Sequence, residues 1–245
     1  MDDKLQQIDT LLGELNQYRA NENYRITEAL EIEYTYDSNR IEGNTLTLHE
    51  TDMVVNKGIT IAGKGLREHL EAINHKEAID FIKDVAQKKE PISERVLLDI
   101  HAIVLHSIDK DNAGKYRRVP VIISGSKHIP PQSYLLQPKM DELFQWYEAN
   151  KDSMHPVVLA AQMHEKLVSI HPFIDGNGRT ARLLMNLILM QHGYPIANIK
   201  GDNETRRRYY ETLEEASSGD NSAFVEFIED VVIQSLTYYL KIIRG

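Results

Sequence analysis

The sequence predicts a mainly α protein, a helical bundle carrying one short β-hairpin. Three observations predict it. Most of the chain repeats apolar residues at 3- and 4-residue spacings between Gly, Pro and Ser boundaries. Only residues 119–123, VPVII, have the β-branched character of a strand with turn formers behind it. The 245 residues, 42% hydrophobic and without cysteine, are enough to bury a core without covalent staples.

Taken in order, residues 3–35 show helical periodicity with few breakers and read as one or two helices. Glu42 precedes Gly43, a helix stop, and by itself reads as a surface carboxylate. Residues 58–65, GITIAGKG, approach a P-loop but place Gly65 where a Ser or Thr hydroxyl belongs; the expectation is a glycine turn in a short hairpin. Amphipathic helices follow over 66–85 and from the N-cap Ser93 to about Ser107. On the first of them, His69 and His75 read as polar helix residues rather than ligands. Residues 109–114 break the pattern, and 119–123 turn at 124–126 and end against Pro130 and Pro131. Helices are expected over 137–149 and from Pro156 to Ile170. The His164–Glu165 pair on the latter is not a zinc-protease motif, because Val168 stands where its second histidine belongs. Two more helices fit 203–216 and 222–243.

Between the helices ending at Ile170 and starting near Arg179 lies HPFIDGNGRTAR, residues 171–182. Its residue types fit an ordinary turn or an anion site. The anion reading has a mechanism: helix-initiating N–H groups and the macrodipole attract negative charge, and Gly176 and Gly178 let a phosphate approach the backbone closely. Arg179 and Arg182, three apart, share a helix face and offer two guanidinium forks to one polyphosphate. Asp175 suits a Mg2+ ion bridging phosphates, and His171 is free to move a proton.

The stretch matches HPFxDGNGRxxR at every fixed position, and on that motif the chain resembles the Fic family. A second motif agrees. In Fic proteins an inhibitory helix carries Ser or Thr, then three residues, then Glu and Gly or Asn, and residues 38–43 read SNRIEG. The resemblance covers about Thr35 to Ile228 and implies an α-helical Fic fold with a hairpin flap. It implies an N-terminal helical region, 1–60, carrying the inhibitory motif of Ser38 and Glu42. A catalytic core, 61–245, would pack with it as one globular unit.

By resemblance the chain would transfer AMP from ATP to a Ser, Thr or Tyr hydroxyl of a target protein, or of itself. His171 would be the general base, Asp175 would hold Mg2+, and Gly176, Asn177, Gly178, Arg179 and Arg182 would bind the phosphates. Glu42 would occupy Arg182 as a brake. The flap would dock the target by β-augmentation, with Ser126, Lys127 and His128 bordering the nucleotide. One of Tyr209 and Tyr210, taken to be Tyr209, would stack near adenine; eight residues on, Ser217 replaces the usual Asn or Asp. Phosphate-transferring relatives carry Lys at the position of Gly178, so glycine here favours AMP. Alternatives stay open: removal of AMP with Glu42 aligning water, or a nucleotide-sensing module with negligible transfer.

Composition limits the rest. With 28 basic against 37 acidic residues the net charge is −9, which disfavours nucleic acid or an anionic membrane as partner. Absent cysteine excludes thiol catalysis and cysteine-ligated zinc. The charged N-terminus lacks the apolar run of a signal peptide, so the cytoplasm is the expected location, with no further domain expected after Ile243. Exposed apolar helix faces leave a homodimer open.

Overall fold

The computed structural model describes residues 2–21 and 23–244. Among the described residues ten α-helices form: α1 (Asp2–Tyr18), α2 (Tyr24–Ile41), α3 (Leu48–Lys57), α4 (Leu66–Gln87), α5 (Glu94–Val104), α6 (Leu136–Asn150), α7 (Pro156–Ile170), α8 (Asn177–Gln191), α9 (Asn203–Ser217) and α10 (Ser222–Arg244). None of the helices described is long and apolar enough to cross a membrane.

α8 is the axis of the bundle. Every residue from Arg179 to Leu189 is buried, which suits a helix walled on all sides by α7, α4 and α5. α7 is nearly as enclosed, and its N-terminus is set by Pro156 in the first turn and the His155 side chain accepting from the Val157 amide. α10 packs along α1, α9 and α7, and α2 lies on α4.

Two local expectations are corrected. Helix α3 was not foreseen: the alternating NTLTL hides a capping box, in which Thr47 Oγ1 accepts from the Glu50 amide and the Glu50 carboxylate from the Thr47 amide. With Leu46 and Ala72 its Val54 forms a small apolar cluster beside the main core. The two hairpins do not form, since the described residues contain no β-strand. Residues 62–64 are a turn tied down by the Ile61 amide donating to His69 Nε2 at 2.8 Å. Residues 119–131 run out and back without a ladder. A turn closes from the Ser126 amide to the Ile123 carbonyl at 3.2 Å, but Pro120, Pro130 and Pro131 remove donors a ladder would need.

Three imidazoles are sealed in the core: His75, His101 and His164. Burial, helped by the Arg182 charge, pushes His164 down to about 3 and His75 well below its ordinary value; burial, against the opposing contact with Asp175, brings His101 to about 4. Unfolded imidazoles bind protons below about pH 6.5 while these stay neutral, so the unfolded state gains stability as pH falls. Folding stability should drop from pH 6.5 towards 4 by about 1 kcal/mol per pH unit for each such imidazole. Urea unfolding at several pH values checks this; a flat profile over that window would contradict it.

Candidate active site

The site is the junction of α7 and α8. α7 stops at His171, which takes the left-handed conformation (φ 49°, ψ 57°), a strained state for a residue with a side chain. The following loop is braced from three sides. Asn177 closes it on Phe173, accepting from the Phe173 amide and donating to its carbonyl, both at 2.9 Å. His101 stacks on the Phe173 ring with centroids 3.6 Å apart. Its Nδ1 accepts from the Gly114 amide at 3.0 Å, which leaves Nε2–H to donate to the Asp175 carbonyl at 3.0 Å. Gly176 suits glycine because its φ of 77° is left-handed, and a Cβ there would also press to 3.3 Å from Val104.

The α8 N-terminus then presents an anion nest. The first helical hydrogen bond runs from the Thr180 amide to the Gly176 carbonyl at 2.9 Å, so the amides of Asn177, Gly178 and Arg179 precede it. The Glu42 carboxylate stands beside it, against Gly178. A Cβ on Gly178 would collide with Glu42 Oε1 and stand 3.0 Å from Arg182 Nη1. Glu42 Oε1 accepts from Arg182 Nη2 at 2.7 Å.

Arg182 is fully buried, and besides Glu42 its guanidinium is held by α2 and α9. Nε donates to Ser38 Oγ at 3.0 Å, Nη2 to the Ser38 carbonyl at 2.9 Å, and Nη1 to Tyr209 Oη at 3.3 Å. Burial opposes this charge, but Glu42, with Tyr209 and Tyr34, more than offsets it, so its proton is held more tightly than usual. α2 is fixed where this requires. Asp37 accepts from the Gly201 amide at 2.9 Å and Asn198 Nδ2 at 2.7 Å, and Tyr210 Oη donates to the Ile41 carbonyl at 3.2 Å. Gly43 (φ 96°) then lets the chain leave the helix directly behind Glu42.

Arg179 corrects the expectation of two forks on one phosphate. It turns away from Arg182, with Nη1 3.5 Å from Glu71 Oε1 and Nη2 3.3 Å from Asp175 Oδ1. Asp175 is also paired with Arg67 Nη2, and its Oδ1 accepts from the Gly176 amide at 2.6 Å. Despite burial, Arg179 and these donors hold the Asp175 carboxyl below its usual range, so it is ionised at neutral pH. One ionised carboxylate beside a phosphate nest fits Mg2+, which takes one or two carboxylates plus substrate oxygens and water.

The His171 imidazole is mostly enclosed. Burial lowers its proton affinity, and the Arg117 charge adds to this against the opposing Val168 backbone and Glu42 charge, so at neutral pH the ring is uncharged. Its Nδ1 is buried. Beside it, the 124–127 turn is pinned to α9: Ser126 Oγ donates to Glu214 Oε2, and the Lys127 amide to Glu214 Oε1 at 2.9 Å. His128 is tied by Nε2 to the Ser169 carbonyl at 2.7 Å. Ser217 caps the end of α9 on the Glu214 carbonyl at 2.7 Å.

Tyr209 corrects a second expectation. Its ring is 1% exposed among Phe224, Phe227 and His164, with its hydroxyl between Arg182 and His164 Nε2, so it is no open platform for a base. Tyr210, 44% exposed, is the neighbour that reaches the surface. Sequence reasoning also missed Arg67, Glu71, Arg117 and Glu214. All four act on backbone or on other polar groups across the fold, and only Arg67 and Glu71, one turn apart on α4, had a helical-pair signal.

Comparisons with known proteins agree with this geometry. The family model of the Fic/DOC family matches residues 91–189. A Culex quinquefasciatus protein named Protein adenylyltransferase Fic is 40% identical over 211 residues, covering 85% of this chain and 41% of its own length. The chain spans less than half the length of the curated relatives it matches. Among solved structures, Fic-1 from C. elegans is 30% identical with a TM-score of 0.88, covering 99% of this chain and 72% of that one. A Fic domain containing signaling protein from Bacteroides thetaiotaomicron is 29% identical, also at 0.88, covering 99% and 97%. With its motif at the head of a buried helix and this likeness extending over nearly the whole chain, the protein belongs to the Fic/DOC family.

Proposed function

We propose that the chain is a protein adenylyltransferase that passes AMP from ATP to a hydroxyl side chain of a target protein and is restrained by Glu42. The observation that carries this reading is a carboxylate of the chain standing at the head of α8, against Gly178 and on Arg182. A site that attracts an intramolecular anion so closely attracts the outer phosphates of ATP when that anion leaves. The name borne by the curated relatives supports the same activity.

In this reading the nest amides and Arg182 bind the β- and γ-phosphates. Asp175 holds Mg2+, which neutralises phosphate charge. The target hydroxyl gives its proton to His171 Nε2, the ring nitrogen left when Nδ1 is enclosed. Its oxygen then bonds to the α-phosphorus, the bond from that phosphorus to the bridging oxygen breaks, and pyrophosphate leaves. The target lies along residues 119–123, where Ile122 is 91% exposed.

A second reading keeps the same residues: Glu42 is near enough to His171 to influence its proton affinity, so it could align a water for removal of AMP.

ATP labelled on the α- or the γ-phosphate separates the chemistries. Protein should retain the α label and not the γ label; retention of γ label would mean phosphate transfer. The metal assignment has its own test. Because Arg67 shares Asp175 with the ion, Arg67→Ala should lower the Mg2+ concentration giving half-maximal incorporation. A raised requirement would mean that Arg67 holds Asp175 ready for the ion.

A further inference from the structure

Arg117 is the most unusual charged group outside the motif. It is 2% exposed, and its described hydrogen bonds end on backbone carbonyls: Nε to His171 at 2.8 Å, Nη1 to Val119 at 2.9 Å and Nη2 to Pro131 at 2.6 Å. Its own amide donates to the Pro172 carbonyl at 2.9 Å. Burial lowers its proton affinity, as expected of a cation satisfied by dipoles.

Burying a guanidinium against carbonyls is costly for stability, so the geometry it imposes is the informative part. The three carbonyls belong to three places that are otherwise joined loosely. One is the strained left-handed residue that carries the imidazole. The other two are the outgoing and returning limbs of segment 119–131, which has no strand ladder to hold them. A planar fork with fixed donor directions sets distances between all three, which a single ammonium does not.

We infer that Arg117 is a positioning residue that fixes the His171 backbone and both limbs of segment 119–131 in one frame, so that a docked hydroxyl meets the imidazole in register. The inference rests on the adenylyltransfer reading for its catalytic consequence, and on hydrogen bonds alone for the frame. It also gives the left-handed His171 a reason: the carbonyl it turns out is the one the fork grips.

The test uses the full chain with Glu42→Gly as parent, and adds Arg117→Lys or Arg117→Gln. Readouts are incorporation from α-labelled ATP into the chain and into lysate protein, the KM for ATP, hydrogen exchange over 119–131, and NMR titration of His171. Both variants should lose about 10²-fold in kcat, the scale of a small misplacement, with the KM for ATP unchanged. Exchange over 119–131 should rise in both. The His171 titration, which Glu42, His128 and Arg117 influence in the native chain, should move up in Arg117→Gln and stay in Arg117→Lys, because only the first removes the charge.

Parental incorporation and unchanged exchange in Arg117→Lys would overturn the inference. If the parent incorporates nothing, the adenylyltransfer reading fails, and exchange decides the frame by itself: unchanged protection in both variants overturns it. Arg117→Lys keeps charge and most of the volume, so it guards against a variant that merely fails to fold.

Discussion

Glu42→Gly is expected to raise AMP incorporation by about 10- to 100-fold at sub-saturating ATP. The magnitude follows from what the triphosphate must displace. Hydrogen bonds to charged groups contribute about 1.5–3 kcal/mol each, and a barrier of that size lowers occupancy of the binding-competent state about tenfold or more. Glu42 is a third exposed, which moderates the figure, while Arg182 is wholly enclosed. The same change leaves a buried arginine without its carboxylate, so the variant should unfold at a lower temperature than wild type without nucleotide and recover with MgATP. Incorporation equal to wild type would remove the brake. Slower loss of AMP from a modified protein would instead favour the hydrolytic role of Glu42.

His171→Ala in the Glu42→Gly background should lower incorporation by about 10²–10⁴-fold, the usual contribution of a positioned base. ATP affinity should persist, because the nest is built from the α8 amides and Arg182 rather than from the imidazole. The left-handed backbone complicates alanine, which tolerates that conformation poorly; His171→Asn, better suited to it, is the control for strain. Undiminished incorporation in both variants would sink the assignment of His171. In the parent, the acid limb of the rate profile should lie below the ordinary imidazole range, because burial keeps the ring neutral to lower pH.

The helices and the Glu42–Arg182 contact were legible because each has a local signature: apolar spacing for the first, two short motifs for the second. All the misses but helix α3 share a cause, which is that their geometry is set by partners distant in sequence. Residues 119–123 have strand-like side chains, yet two carbonyls of the segment 119–131 are gripped by Arg117 and three prolines withhold donors, so the segment is held without a ladder. Tyr209 and Tyr210 are adjacent on one helix, and only the position of Phe224 and Phe227 on α10 decides which turns inward. Arg179 had the spacing to join Arg182, but Glu71 and Asp175 draw it the other way. Helix α3 was readable from its capping box and was obscured by alternation beside it.

The central claim is that the chain's own carboxylate stands where the outer phosphates of ATP bind. Calorimetric titration of MgATP into wild type and Glu42→Gly tests it most directly. The claim predicts tighter binding by about tenfold or more in the variant, with the affinity for AMP, which lacks those phosphates, nearly unchanged. Equal ATP affinity in the two proteins would contradict it.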